Sequence, residues 1–195
     1  MVRKLDPEKR TQYLRSALKL FVENGISQTP TAVIAEDAGT AAGTLFLYFP
    51  TKQDLIDGLV MEIVQEQSDA INNILQPGQS AQSMFFTIWE GTIRWFLENK
   101  DAYAYILQVR DSGMISESAV QETEKFFQFY YMAIELGLSE GSIRSYPTEL
   151  VGNLLYHNIM AVMDLVRALP DPDRREDYIQ TGFEIFWNGI KSESK

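Results

Sequence analysis

The side chains that enzymes most often use for chemistry are scarce in this chain. It contains no cysteine and a single histidine, His157, with no acidic residue near it in the sequence. Thiol catalysis, disulfides and thiolate metal sites are therefore excluded, and a metal site on His157 is not expected. Gly39 and Gly43 are not followed by a lysine, so they do not form a phosphate loop, and there is no Glu-x-x-His pair. These features predict that the protein is not an enzyme and holds neither a metal nor a cofactor.

The most informative residues lie in segment 29–55, which reads TPTAVIAEDAGTAAGTLFLYFPTKQDL. Small and apolar residues around Ile34 give a first helix an inward face, and Gly39 permits a tight turn. Leu45 and Phe49, four positions apart, anchor a short following helix. This order of helix, turn and helix predicts a helix-turn-helix motif, whose second helix enters the major groove of DNA.

The same segment resembles the DNA-binding domain of the TetR family of bacterial regulators, and the match extends back to about residue 10. The resemblance is carried by Ile34-Ala35, Ala38-Gly39, Gly43-Thr44-Leu45-Phe46, Tyr48-Phe49, Lys52 and Leu55. It implies an all-helical, dimeric regulator in which a variable effector-binding domain follows the head. Beyond residue 56 the resemblance is one of helix number and chain length only.

Residue types and the resemblance together indicate how the head would contact double-stranded DNA. Lys52, the Tyr48 hydroxyl and the hydroxyls of Thr29 and Thr31 are expected to bind phosphates. The side chains expected to face base edges are those of Thr40, Ala41, Ala42, Thr44 and Leu47. The N-terminal pair Arg3-Lys4 would add phosphate or minor-groove contacts.

The expected recognition helix is unusually neutral. No Lys or Arg lies between Lys19 and Lys52, and Phe46 stands where the family usually has a tyrosine. Since the helix offers no bidentate reader of a base, specificity is expected from apolar contacts, DNA shape and the spacing of two half-sites in a dimer.

Charge is distributed unevenly along the 195 residues. The net charge is −10, yet residues 1–55 carry seven Lys and Arg against six Asp and Glu, whereas the rest carries ten against 21. This asymmetry predicts two parts with different roles. The N-terminus lacks an apolar core behind its charges, and the longest apolar stretch, residues 150–163, is too short to cross a bilayer. A soluble, cytoplasmic protein without a membrane partner is expected.

Helical periodicity runs through nearly the whole chain, and no segment alternates as a strand would. Asp6-Pro7 begins the first helix with a cap followed by proline, and Thr29-Pro30 repeats that order. A short helix is expected at 42–49, and longer ones at 52–75, 80–99, 101–110, 116–137, 147–169 and 172–190. We predict an all-α protein of about nine helices, with a helix-turn-helix head in residues 1–51 and a helical ligand-binding and dimerisation bundle in residues 52–195.

Residues 80–165 hold more aromatic rings and methionines than a small bundle core needs. This composition favours an apolar pocket with a few polar tips, and the resemblance implies a small-molecule effector there. The candidate ligand-binding residues are Trp89, Ile93, Tyr103, Leu107, Arg110, Phe127, Tyr130, Tyr131, Tyr156 and Met160. The helices at 147–169 and 172–190 are apolar on more than one face, which predicts that they form the interface of a homodimer.

The function predicted from these features is a ligand-responsive transcriptional regulator. We expect a repressor that a small apolar or aromatic effector releases from a DNA operator. The sparse positive charge around the recognition helix leaves a second interpretation open, a protein–protein interaction module of the same fold that has lost specific DNA binding. Substitution of Lys52 and Tyr48 would separate the two, because only a repressor would then release its promoter.

Overall fold

The structure is a computed structural model that describes residues 5–110 and 112–193, so Arg3 and Lys4 lie outside the described residues. The described chain forms ten α-helices, one 3-10 helix and no strand, apart from a single antiparallel bridge between Ile143 and Lys191. The helices are α1 Pro7–Asn24, α2 Thr31–Asp37, α3 Ala42–Leu45, α4 Lys52–Ile74, α5 Ala81–Glu98, α6 Lys100–Arg110, α7 Glu117–Glu124, α8 Gln128–Glu140, α9 Thr148–Val166 and α10 Pro172–Ile190. The all-α prediction is confirmed.

The 3-10 helix, Lys125–Phe127, connects α7 to α8 without an intervening loop. These three elements together occupy the place of the single helix expected at 116–137. Counted as one helix, they bring the observed number to the nine that the sequence predicts. No helix in the described ranges is both long and apolar enough to cross a membrane.

Helix starts follow short-range capping signals. The Asp6 carboxylate accepts a hydrogen bond from the Glu8 N–H at 3.0 Å and so caps α1. At the start of α4, the Asp54 carboxylate accepts from the Thr51 N–H at 2.8 Å and from the Thr51 hydroxyl at 2.7 Å. The Thr51 hydroxyl in turn accepts from the Asp54 N–H at 3.1 Å. This reciprocal arrangement is a capping box, which satisfies N–H groups that the first turn of a helix leaves open.

Two helix boundaries in the head differ from the sequence prediction. The second helix begins at Thr31, with Pro30 at the N-cap and no side-chain cap. The short helix α3 ends at Leu45, where residues up to Phe49 were expected to be helical. The N–H groups of Tyr48 and Phe49 both bond to the Leu45 carbonyl at 2.9 Å, so a turn follows α3 in place of a further helical turn.

The contacts divide the chain into two compact units. Unit 1 consists of Met1–Gln65 and Asn99–Thr123, and unit 2 consists of Glu66–Glu98 and Glu124–Lys195. Unit 1 therefore groups α6 with the head, whereas the boundary drawn from the sequence at residue 51 puts α6 in the second domain. That boundary stays a prediction.

Helix α6 belongs to unit 1 because it packs on α1 and bonds to α4. The Tyr105 ring stacks on the Phe21 ring with centroids 6.0 Å apart. The Tyr105 hydroxyl donates to the Ile56 carbonyl at 3.0 Å, and the Gln108 side-chain amide donates to the Phe21 carbonyl at 3.0 Å. Burial raises the pKa of the Tyr105 hydroxyl well above its ordinary value, so this donor stays protonated.

The core of unit 2 is built around Trp89 on α5. This side chain is fully buried, its indole N–H donates to the Ile179 carbonyl at 3.0 Å, and its ring stacks on Phe186 with centroids 6.2 Å apart. Gly182 on α10 faces the same ring, and a Cβ built there would lie 2.9 Å from Trp89 Cζ2 and 2.6 Å from Val162 Cγ2. The close approach of α10 to α5 and α9 therefore depends on a residue without a side chain.

Candidate nucleic-acid interface and effector site

The helix-turn-helix of unit 1 exposes a small, neutral surface. Leu45 and Phe49 are buried and fix the position of α3, as the sequence predicts. Ala41 is exposed, whereas Ala42 and Thr44 are half-buried. Leu47, in the turn after α3, is 63% exposed, the state required of a side chain that contacts a base edge. Phe46 beside it is also exposed.

Two of the threonines expected to contact DNA have structural partners in unit 1. The Thr29 side chain is only 2% exposed, and its hydroxyl donates to the carbonyls of Gly25 at 2.8 Å and Leu20 at 3.2 Å. The Thr40 hydroxyl donates to the Ala35 carbonyl at 3.3 Å and lies 2.8 Å from the Tyr13 hydroxyl.

Each of these hydroxyls has one proton, and a carbonyl of the head already accepts it. Neither can donate to a phosphate or a base while these bonds persist. In the structure these hydroxyls bond within α1, α2 and the loops beside them, and the DNA contacts expected of Thr29 and Thr40 stay predictions. Thr31, the first residue of α2, is half-buried and keeps the position from which a phosphate contact was expected.

Tyr48 lies half-buried in the turn after α3, and its geometry suits a phosphate contact. Its ring centroid is 5.4 Å from that of Tyr13, and its hydroxyl oxygen accepts from the Asp6 N–H at 3.1 Å. Because the oxygen is the acceptor in this bond, the O–H can still donate to a phosphate. The position of the hydroxyl is thereby tied to the start of α1.

Lys52, from which a phosphate contact is expected, has partners within unit 1. Its ammonium donates to the Ile26 carbonyl at 2.5 Å and lies 5.9 Å from the centroid of the Phe21 ring. Burial lowers the pKa of Lys52 below its ordinary value. The ammonium is therefore engaged with the end of α1 and the loop after it, which leaves fewer of its N–H groups for phosphate binding.

Two other cations of unit 1, Arg10 and Lys19, are paired with carboxylates. Arg10 bonds to Glu62 at 2.7 Å, and Lys19 bonds to Asp37 at 2.7 Å. The hydrogen bond from Asp37 is the main reason that the pKa of Lys19 is raised. These pairs reduce the net positive charge that unit 1 can offer to DNA.

The candidate ligand-binding residues fall into both units. Tyr103, Leu107 and Arg110 lie on α6 in unit 1, where Tyr103 is buried and the other two are half-buried. The other seven lie in unit 2, and of these Trp89, Ile93 and Met160 are buried, Phe127, Tyr130 and Tyr156 are half-buried, and Tyr131 is exposed.

Within unit 2 the structure brings some of these rings together and separates one. Phe127 and Tyr130 have ring centroids 5.7 Å apart, and the Tyr130 ring is 4.7 Å from the Phe129 ring. Tyr131 points elsewhere and lines an open surface groove of about 540 Å³ with Glu124, Lys125, Gln128, Met132 and Glu135. Tyr130 and Tyr131, although adjacent in sequence, therefore belong to different surroundings.

Buried polar residues of unit 2 were missed by the sequence analysis. Gln67, Ser68 and Thr92 are all nearly inaccessible to solvent. The Ser68 hydroxyl donates to the Phe126 carbonyl at 2.8 Å, at the 3-10 helix. The Gln67 side-chain nitrogen has no hydrogen-bond partner in the described part of the chain, whereas the Thr92 hydroxyl lies beside the Tyr130 hydroxyl and acts to lower its pKa. The sequence does contain a signal for these three residues, because each polar side chain interrupts an apolar stripe of its helix.

The described residues include no group of three or more His, Cys, Asp and Glu side chains that could hold a metal ion. His157 is exposed on α9, with its ring 5.3 Å from that of Tyr156.

Similarity to known proteins agrees with this geometry. One similar crystal structure is that of a Shewanella sp. PV-4 protein assigned to the TetR family of transcription regulators. The two structures superpose with a TM-score of 0.88 and are 27% identical in sequence. The superposition covers 95% of this chain and 99% of the Shewanella chain. The structure of FadR from Bacillus subtilis, solved in complex with stearoyl-CoA, superposes with a TM-score of 0.74 at 20% identity, over 92% and 98% of the two chains. At this level of identity, the likeness to FadR shows only that the two proteins share a fold.

Among sequence relatives, the HTH-type transcriptional regulator YvdT of Bacillus subtilis is 25% identical over 127 residues. The alignment covers 65% of this chain and 63% of YvdT, less than two thirds of that relative. The family model for bacterial regulatory proteins of the tetR family matches residues 14–59, and the model for tetracyclin repressor-like C-terminal domains matches residues 60–192. With a helix-turn-helix head at the N-terminus and both models matched, this chain belongs to the TetR family, whose members are transcriptional regulators and not enzymes.

Proposed function

We propose that this regulator is a cytoplasmic, homodimeric repressor that leaves its operator when a small apolar or aromatic effector binds. The observation that carries the DNA-binding part is the exposed neutral surface of α3 and the following turn, above a buried anchor formed by Leu45 and Phe49. The repressor role is supported by the match to tetracyclin repressor-like C-terminal domains. The complex of FadR with stearoyl-CoA supports response to a small molecule in a protein of this fold.

The DNA contacts that we propose are of two kinds. Ala41, Ala42, Thr44 and Leu47 would read base edges, mainly through contacts with thymine methyl groups. The Tyr48 hydroxyl would bind a phosphate, and a contact from Thr31 would add to it. Lys52 would contribute mainly by holding the start of α4 against the loop after α1.

Dimerisation through α9 and α10 is supported by the apolar side chains that these helices expose. Leu150, Leu154 and Leu165 recur on the outer side of α9, while Val151, Leu155, Ile159, Met163 and Val166 are buried on its inner side. On α10, Ile185 is 66% exposed and Tyr178 is partly exposed. An isologous dimer would cover this surface with its own copy and form a four-helix contact.

The test of operator binding uses full-length protein and a random duplex library. Rounds of selection, followed by fluorescence anisotropy on the enriched duplex and on a scrambled one, measure specific and non-specific affinity. Leu47→Glu would place a carboxylate against DNA and should lower specific affinity at least tenfold. Val120→Glu, on an exposed position of α7 outside the motif, is the matched control. Failure to enrich any duplex, or equal affinity for the scrambled one, would refute the DNA-binding role.

The dimer is tested by light scattering of purified protein. Ile185→Glu would bury a charge in the proposed interface and should shift the mass from dimer to monomer. Val120→Glu should leave the mass unchanged. A wild-type monomer at micromolar concentration, or an Ile185→Glu dimer of unchanged stability, would exclude this interface.

A further inference from the structure

The side of α3 that points away from the core of unit 1 has an unusual composition. Leu45 and Phe49 are buried and define the inner side of α3 and of the turn after it. The N–H groups of Leu47 and Phe49 bond to the carbonyls of Thr44 and Leu45, so the turn stays wound in the helical sense. Gly43 and Leu47 are each two positions from Leu45, about 200° around a helix, and therefore lie opposite the anchors.

This outward side is open and apolar. Leu47 is 63% exposed, and a Cβ built at Gly43 would have no atom within 4 Å. Phe46 beside them keeps helical backbone angles, φ −66° and ψ −13°, and is 43% exposed. We call Gly43, Phe46 and Leu47 the reading face. Large apolar side chains that are exposed next to each other indicate a surface that another molecule covers, and in a helix-turn-helix motif that molecule is DNA, met in the major groove.

The chemistry of the reading face limits what it can distinguish in the major groove. Thymine presents an O4 acceptor and a methyl group at C5, whereas cytosine presents an N4 amino donor and no methyl group. The side chains of Phe46 and Leu47 can bond to neither O4 nor N4, so these groups gain no partner from them with either base. A C5 methyl group does gain an apolar contact. The reading face therefore selects the methyl group and not the base that carries it.

Most polar side chains of segment 40–49 are engaged within the head. The Thr40 hydroxyl donates to the Ala35 carbonyl at 3.3 Å, and the Tyr48 hydroxyl accepts from the Asp6 N–H at 3.1 Å. Thr44, which carries the only side-chain hydroxyl of α3, is half-buried at the edge of the reading face. A hydrogen bond from this surface to a base would thus have to come from Thr44, and that alternative can be tested separately.

Recognition of guanine by a charged side chain is also unavailable to this surface. Guanine is most often read by Arg or Lys through O6 and N7, but residues 20–51 contain neither Lys nor Arg. The ammonium of Lys52, the next cation along the chain, donates to the Ile26 carbonyl. The C5 methyl group remains as the feature of a base to which the reading face is complementary.

We propose that the reading face recognises the C5 methyl group of a pyrimidine and accepts 5-methylcytosine in place of thymine. The inference rests on the operator binding proposed above and names the chemical signal that is read there. Methylation of cytosine at C5 would turn a C·G pair at this position into one that the protein binds. The methylation state of the DNA therefore controls occupancy of any site that has cytosine at this position.

The test uses full-length protein and the duplex enriched from the random library. Each thymine of a half-site is replaced in turn by uracil, cytosine or 5-methylcytosine, with the matching base opposite, and affinity is measured by fluorescence anisotropy. At the position that faces Leu47, thymine and 5-methylcytosine should bind within about twofold of each other. Uracil and cytosine should each bind about fourfold more weakly, the effect of one methyl-sized group left unburied, and about fifteenfold more weakly when both half-sites are changed.

The four bases separate methyl recognition from hydrogen bonding. A hydrogen bond to O4 would give equal affinity for thymine and uracil and weaker binding of both cytosines. Equal affinity for thymine and uracil at every position would overturn the proposal. Binding of 5-methylcytosine no tighter than that of cytosine, or selected half-sites that contain no thymine, would overturn it as well.

Variants test whether the reading face carries the preference. Leu47→Asn keeps the branched shape of the side chain and exchanges its methyl groups for an amide, so the preference for thymine over uracil should disappear. Its melting temperature should not change, because the side chain is 63% exposed. Val120→Asn, at another exposed position on α7, is the matched control and should keep the preference. Thr44→Val keeps a methyl group, removes the hydroxyl and should keep the preference too. A preference that survives in Leu47→Asn or is lost in Thr44→Val would overturn the proposal.

Failure of this inference is distinguishable from failure of the proposed function. If no duplex is enriched, operator binding and methyl recognition are refuted together, and the reading face has a protein as its partner. If a duplex is enriched but tolerates uracil at every thymine, only methyl recognition is refuted and operator binding stands.

Discussion

Replacement of Gly182 by alanine tests how tightly α10 is packed. A Cβ at this position would lie 2.6 Å from Val162 Cγ2 and 2.9 Å from Trp89 Cζ2. The Trp89 ring cannot move aside easily, because it is fully buried, bonded to the Ile179 carbonyl and stacked on Phe186. The added methyl group must therefore displace α10 or force Val162 from its position.

Two effects of opposite sign determine how much Gly182→Ala changes the free energy of unfolding. Alanine is favoured over glycine inside a helix by about 0.5–1 kcal/mol. Insertion of a methyl group into a well-packed core costs about 1–3 kcal/mol. The cost exceeds the gain here, so Gly182→Ala should lower the free energy of unfolding by roughly 0.5–2 kcal/mol. For a chain of this length the melting temperature should fall by about 1–8 °C.

The matched control is Gly189→Ala on the same helix, where a built Cβ has no atom within 4 Å. This variant retains the gain in helix propensity without the clash, so its melting temperature should rise by about 1–4 °C. Both variants are measured by calorimetry at two protein concentrations, so that an effect on subunit association appears as a concentration dependence. Equal stabilisation by both substitutions would refute the packing argument.

Three further outcomes are expected. Thr29→Val removes the hydroxyl bonded at the end of α1, so it should lower the free energy of unfolding in urea by about 1–2 kcal/mol. Thr31→Val is the control and should change that free energy by less than about 0.5 kcal/mol. Equal effects of the two substitutions would show that the Thr29 hydroxyl does not stabilise the head. Tyr48→Phe should weaken binding to the selected duplex by roughly three- to tenfold in anisotropy, and unchanged affinity would exclude the phosphate contact. Arg94→Ala should cost less than about 1 kcal/mol in urea unfolding because its ion pairs are exposed, and a larger loss would show that they are stronger than surface pairs usually are.

Features encoded by neighbouring residues could be predicted from the sequence. The Asp6 cap depends on residues two positions apart, and Gly25 and Gly39 adopt the positive φ values of 84° and 70° that a helix end and a tight turn require. The anchors Leu45 and Phe49 are one helical turn apart. Capping, turn geometry and apolar periodicity all act over a few residues, so the helices and the motif follow from local sequence.

Features that depend on distant partners could not be predicted. Thr29 precedes a proline and so looks like a cap, but its hydroxyl bonds to Leu20, nine residues earlier. The assignment of α6 to unit 1 rests on Tyr105 bonding to Ile56, 49 residues away. No local pattern specifies such pairs.

The buried Thr92 on α5 is an intermediate case. Thr92 follows Ile88 and Trp89 and precedes Phe96 at helical spacing, so a polar residue in an apolar stripe was visible in the sequence. Whether such a residue is bonded depends on the helices packed against it, which only the structure reveals.

The absence of lysine and arginine from residues 20–51 has a consequence for the way the protein responds to ionic strength. Each phosphate neutralised by a cation releases condensed counterions, and the logarithm of affinity falls with the logarithm of salt concentration by about 0.9 per contact. A surface that meets DNA with alanine, leucine, threonine and tyrosine side chains releases few counterions. Operator occupancy should therefore change little with salt, and non-specific attraction to DNA, which depends on the same ions, should be weak. Discrimination between operator and bulk DNA would then rest on shape and methyl contacts, and it would persist when the salt concentration inside the cell rises.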